Sequence, residues 1–132
     1  MIPDRIIEPD TLTTDGHRAA VEVRIPWYRA LPGSCIAGAV LRIDGVPAAE
    51  ESLRWTMNGR TFTFDELVDE TGEWWFPTDS AVLSGDVPVE ADDAQHEVDV
   101  DLQLYIPYII IGDGETLHIE EHDTKTMKAV AA

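Results

Sequence analysis

The chain has 132 residues, 44% hydrophobic and 27% charged, enough for one domain (1–132) that buries roughly 70% of its unfolded surface without staples. Its 26 acids against 9 basic residues give a net charge of −17, which argues against nucleic acid, held through Lys and Arg, and against anionic membranes. A solubilising coat or a complementary basic partner fits that charge. The opening MIPDRIIEPD has no apolar signal region and no window approaches a membrane span, so this acidic protein is expected to be cytoplasmic.

Residues 1–18 hold two prolines and several acids. They read as an irregular lead-in from which Ile6 and Ile7 dock onto the core. From Ala19 to Ile25, Ala19, Val21, Val23 and Ile25 alternate with Ala20, Glu22 and Arg24, the period-2 pattern of a strand. Pro26 ends it, and residues 27–33 form a loop. The single Cys35 can make no internal disulfide and has no metal-ligand spacing around it, so it reads as a small buried thiol rather than a nucleophile. Ile36 to Ile43 is a second strand, closed by an Asp44-Gly45 turn.

Asn58-Gly59 lies between LRWTM and RTFTF, and a two-residue type I′ turn there pairs Trp55 with Phe62, Thr56 with Thr61, Leu53 with Phe64 and Arg54 with Thr63. Asp65 to Glu70 reads as one helical turn capped by Asp65. Residues 73–79 make an aromatic knot ended by proline. Ala81 to Val89 is a short strand around Gly85, and 91–95 is an acidic turn.

The longest pattern starts at Val98. Even positions from Val98 to Ile110 are apolar, while Asp99, Asp101 and Gln103 are polar. With Asp113-Gly114 as a two-residue turn, Gly112 pairs with Glu115. Ile110 then faces Leu117, Tyr108 faces Ile119, Ile109 faces His118, Pro107 faces Glu120 and Tyr105 faces His122. The tail, 128–132, is expected to fray. Seven or eight short strands and no long helix predict an all-β fold, an antiparallel β-sandwich of jelly-roll type.

Chemistry is sparse. His118, Glu120 and His122 share one strand face at i, i+2, i+4, a donor set that suits a transition metal. Glu121 and Asp123 point the other way, so the five do not converge, and an outward polar edge is the plainer reading. Trp74-Trp75-Phe76 could stack on a sugar, but consecutive strand residues face opposite ways, so only one Trp of the pair can line a given surface, and one core Trp with the other an interface anchor is the alternative reading. No catalytic, cofactor or metal residue is assigned to this chain. Its outer apolar patch of Pro107, Ile109 and Ile111, with Trp74 or Trp75, is expected to meet a partner.

Three blocks, SLRWTMNGRTFTFDEL (52–67), EWWFPTDSAVL (73–83) and YIPYIIIGDGETLHIEEHDTKTM (105–127), resemble the beta, or small, subunit of bacterial C-glycoside deglycosidases. The resemblance implies a β-sandwich subunit of a hetero-oligomeric lyase of flavonoid C-glycoside catabolism. That enzyme cleaves the sugar–aglycone C–C bond of 3-oxo-C-glucosides by base-promoted elimination. It implies that a sugar-isomerase-like barrel, the alpha subunit, holds a divalent metal, manganese, and supplies the base, leaving the isolated beta chain inactive. Two other readings stand beside it. One is a free-standing carbohydrate-binding module; the other is a metal-dependent β-sandwich enzyme using His118, Glu120 and His122.

Overall fold

The computed structural model describes residues 6–27, 29–111 and 115–132, with backbone pairing alone for 108–111 and 115–116. Along the chain come β1 (Thr13–Thr14), β2 (Arg18–Val23), β3 (Leu31–Pro32), β4 (Ile36–Ile43), β5 (Val46–Pro47), β6 (Arg54–Met57) and β7 (Arg60–Phe62). The short helix α1 (Phe64–Leu67) follows, then β8 (Trp74–Trp75), β9 (Ala81–Asp86), β10 (Gln95–Ile111), β11 (Glu115–Lys128) and β12 (Val130–Ala131). The fold is all-β, as expected. Seven of these strands have three or more residues (β2, β4, β6, β7, β9, β10 and β11), but β10 and β11, at 17 and 14 residues, are not short.

A six-stranded sheet runs β12-β1-β2-β9-β6-β7, a four-stranded sheet runs β11-β10-β4-β5, and β3 and β8 form a small ribbon. Pairing is antiparallel except between β1 and β12. Both sheets contribute to one core. Ala19, Val21 and Val23 of β2, Leu83 of β9 and Trp55 of β6 bury with Leu41 and Ile43 of β4 and with Val98, Val100, Leu102, Leu104 and Ile106 of β10. Alternation decides this: each β10 residue between those apolar ones is polar or exposed.

Two of the three Gly-containing turns read from the sequence lie within the described residues and close as type I′. Asn58 and Gly59 have φ of 55° and 79°, Asp44 and Gly45 have 53° and 81°, and the strands they join pair directly. Trp55 faces Phe62 and Thr56 faces Thr61, with the two hydroxyls 2.9 Å apart. The pairing stops there rather than continuing to Leu53–Phe64 and Arg54–Thr63, because Thr63 starts α1. Its side chain accepts from Glu66 N–H at 3.1 Å while Glu66 Oε1 accepts from Thr63 N–H at 2.8 Å, a capping box. Thr63 is therefore the cap, not Asp65. Gly85 is needed for packing: a Cβ there would lie 2.7 Å from Ala48 Cβ and 3.0 Å from Leu53 Cδ2, in the segment that crosses from one sheet to the other.

Both chain ends are tied down. Ile6 and Ile7 are buried as expected, and Ile7 bridges to Val23. The lead-in is not wholly irregular, since it contains β1, which pairs with β2. The tail does not fray. β12 lies parallel to β1, Val130 N–H donates to Leu12 O at 3.0 Å, and Ala132 N–H donates to Thr14 O at 2.9 Å.

Candidate functional site

Past Leu104, β10 leaves β4 behind and continues with β11 as a two-stranded hairpin. Here the structure corrects the expected register. Ile111, not Gly112, pairs with Glu115, and Tyr105 pairs with His118 rather than His122. The Asp113-Gly114 turn itself lies outside the described residues. Ile110 pairs with Thr116, yet Leu117 already pairs with Ile106, so residues 107–109 of β10 have no opposite number. Pro107 gives the reason: without an N–H it cannot serve in a ladder, and prolines within sheets sit at edges or bulges. Below the bulge the slip totals four residues. That number is even, so every side chain keeps its face while every neighbour changes.

The outer face of the hairpin therefore carries the pairs Tyr105–His118, Gln103–Glu120, Asp101–His122 and Asp99–Thr124. His118 packs on Tyr105, with ring centroids 5.1 Å apart. His122 is held elsewhere: Nδ1 lies 2.6 Å from Asp101 Oδ1 and Nε2 lies 2.9 Å from Thr124 Oγ1, whose own hydroxyl donates to Asp99. Arg42 on β4 donates to the other Asp101 oxygen at 2.8 Å. Partial burial works to raise the Asp101 pKa, but the bonds from Arg42 and His122 outweigh it and hold the carboxyl below its usual range. Thr124, His122 and Asp101 stand in the order of a nucleophile relay, but the Thr124 hydroxyl donates to Asp99 rather than to His122, so the nucleophile-to-base bond of such a relay is not made. The His118, Glu120 and His122 set does not converge, and no group of three His, Cys, Asp or Glu among the described residues could hold a metal ion.

The aromatic knot divides as strand geometry requires. Trp75 is 1% exposed and packs edge-on against Trp55 with centroids 4.8 Å apart, and its Nε1–H donates to Asp79 O at 3.1 Å. Trp75 is thus a core residue, and its place in the expected interface is withdrawn. Trp74 is 41% exposed and Phe76 47%, and Trp74 Nε1–H donates to Thr71 O at 3.2 Å. β8 pairs with β3, and the turn Gly33–Cys35 that follows β3 touches β10. This puts the ribbon at the end of the sandwich where the long hairpin extends past β4. Tyr105, 42% exposed, and Pro107, also exposed, lie on that hairpin. The side chains of Ile109 and Ile111 lie outside the described residues. Phe76, named with the Trp pair as a possible sugar-stacking surface, is exposed as that reading requires, whereas Tyr105 was not singled out as a surface aromatic. The signal for Tyr105 was available, since it falls on an odd, polar position of β10.

Cys35 is buried, and burial pushes its thiol pKa up, the opposite of what a nucleophilic thiolate needs. No helix among the described residues is long and apolar enough to cross a membrane.

Comparison with known proteins bears on what such a surface serves. A family model described as C-glycoside deglycosidase beta subunit matches residues 8–108. The chain is 76% identical over 132 residues, all of both chains, to a C-glycoside deglycosidase beta subunit of Microbacterium trichothecenolyticum. It is 76% identical over 128 residues, 97% of each chain, to one of Arthrobacter globiformis. Over 128 residues, 96% of this chain and 95% of the other, it is 36% identical to a 3'-dehydrocarminate deglycosidase beta subunit of a Microbacterium species. With a family model matched over residues 8–108 and 76% identity over the full chain, the chain belongs to the C-glycoside deglycosidase beta subunit family.

Proposed function

We propose that this chain is the non-catalytic beta subunit of a hetero-oligomeric lyase that cleaves the sugar–aglycone C–C bond of 3-oxo-C-glucosides. The observation that carries the reading is the pairing of subunit-family membership with the exposed Trp74, Phe76, Tyr105 and Pro107 at one end of the molecule. Elimination from such a sugar needs a base at C2 and an electrophile that polarises the C3 ketone. In this reading both belong to an alpha subunit with a sugar-isomerase-like barrel and a divalent metal, manganese. The relative named for 3'-dehydrocarminate supports the substrate class, because its name specifies a substrate oxidised at a 3' position.

The beta chain presents Trp74 and Pro107, with Ile109 and Ile111 of the bulged hairpin, to the alpha subunit. Aromatic and branched residues at the centre of an interface are where truncation costs most. The free-standing carbohydrate-binding reading has less to stand on, since only one Trp of the pair is at the surface. The test is to recover the tagged chain from its source with whatever binds it and to analyse each component for metal. A barrel-type companion carrying manganese, with none on the separated beta chain, is the expected result. Near-stoichiometric metal on the lone chain, lost in His122→Gln, would overturn it.

A further inference from the structure

We infer that the open edge of β4 accepts an extended apolar segment of the companion subunit, flanked by Lys or Arg, as an added strand of the four-stranded sheet. This rests on the hetero-oligomer reading above and names a contact separate from the aromatic patch.

On one side β4 pairs with β10 along its length, with a bulge at Ala37. On the other side β5 covers Arg42 and Ile43, and Ala48 N–H reaches Leu41 O at 2.8 Å. Successive strand residues turn their amide and carbonyl to opposite sides. With Leu41 facing the β5 side, the N–H and C=O of Ala39 face the side on which no strand pairs with β4 among the described residues, with α1 lying near β4. Beside that edge runs a groove of about 490 Å³ lined by Ala37, Ala39, Pro47, Ala48, Leu53 and Glu50, among others. Past Leu53 and Glu50 it meets a second groove of about 400 Å³ bounded by Glu51, Arg54 and Asp65, so that three acids, with Glu50, stand against one base.

The two edges of this sheet are built differently. β11, at the far edge, turns charge inward: Asp123 is buried, accepting Ile7 N–H at 2.9 Å and Lys125 Nζ at 2.6 Å. Inward charge is a device that keeps foreign strands off an edge. On β4 the run Gly38 to Leu41 carries no charge and no proline. Small side chains at Ala37, Ala39 and Ala48 leave room for apolar side chains of an incoming strand, and the acids at the groove rim select basic flanks. A second copy of this chain, itself at −17, would bring acid to acid.

Hydrogen exchange on the chain alone and in its complex with the companion subunit tests this. The amide of Ala39, the one in the run Gly38 to Leu41 that faces neither β10 nor β5, should slow about tenfold or more on assembly, the protection of one added backbone bond. Glu50→Lys combined with Glu51→Lys, both exposed, should leave the thermal midpoint of the free chain unchanged and raise the complex Kd about tenfold. A complex that forms with no change at the Ala39 amide, or whose affinity ignores the charge reversal, overturns the β4 proposal while leaving the subunit reading intact. Protection that rises with the concentration of this chain alone would make a second copy the occupant and also overturn it. Absence of any complex would instead remove the subunit reading on which it rests.

Discussion

At the scale of residues, Trp55 anchors the core. It is fully buried, faces Phe62 across the hairpin, and takes the rings of Trp75 at 4.8 Å and Phe64 at 6.2 Å edge-on. Trp55→Ala should cost about 3–5 kcal/mol, read from denaturant unfolding. Its indole Nε1 is buried with no hydrogen-bond partner among the described residues, so Trp55→Phe should cost distinctly less than the lost area alone would suggest. His96 offers a pH test. Asp44 Oδ2, 2.7 Å from Nδ1, raises the His96 pKa against a burial that lowers it, and Asp92 adds a 3.4 Å ion-pair contact at Nε2 that is out of hydrogen-bond alignment. The bond to His96, and then Glu97 N–H, hold Asp44 below its usual range. A folded value above the unfolded one of 6.5 means the stabilisation is whole below that pH and is lost as pH rises through the folded value. His96→Asn should therefore lower the thermal midpoint below pH 6.5, and the gap from the unaltered protein should narrow as pH rises above it. A gap that widens with pH would reverse the sign of this link. The sequence showed that only one Trp of the pair at 74–75 could line a given surface, but not which, because parity across a two-residue strand depends on its partner β3, and that pairing has no local signal.

At the scale of elements, what could be read locally was read correctly. Asn58-Gly59 and Asp44-Gly45 carry their turn type in two residues, since both positions need φ > 0. The alternation of β2, β4 and β10 fixes which faces are buried. What failed was competition between neighbouring signals. Thr63 and Asp65 can both cap a helix, and Thr63 wins because Glu66 stands three residues on to close the box. Thr63→Ala should cost about 1 kcal/mol of stability, whereas Asp65→Ala should cost little, in paired denaturant titrations. Pro107 announced a break in β10, but whether a strand with proline ends, bulges or moves to an edge is decided by long-range pairing. The tail pairs with β1 because Thr13–Thr14 leaves a sheet edge to cover, a contact between the two ends of the chain that no local pattern encodes.

At the scale of the whole molecule, the chain carries a net charge of −17 and exposes Trp74, Phe76 and Tyr105 among the described residues. Trp74→Ala should leave the thermal midpoint of the free chain nearly unchanged yet weaken assembly by about 2 kcal/mol or more, measured by sedimentation or calorimetry. Trp75→Ala should do the reverse and unfold the chain. The odd positions Tyr105 and Pro107 were legible as apolar residues on a polar strand face; the bulge beside Pro107 was not. The most direct measurement of the division of labour follows aglycone release from a 3-oxo-C-glucoside with this chain alone, with the alpha subunit alone, and with both. The account predicts full turnover with both and none with this chain alone; turnover by the lone chain would contradict it.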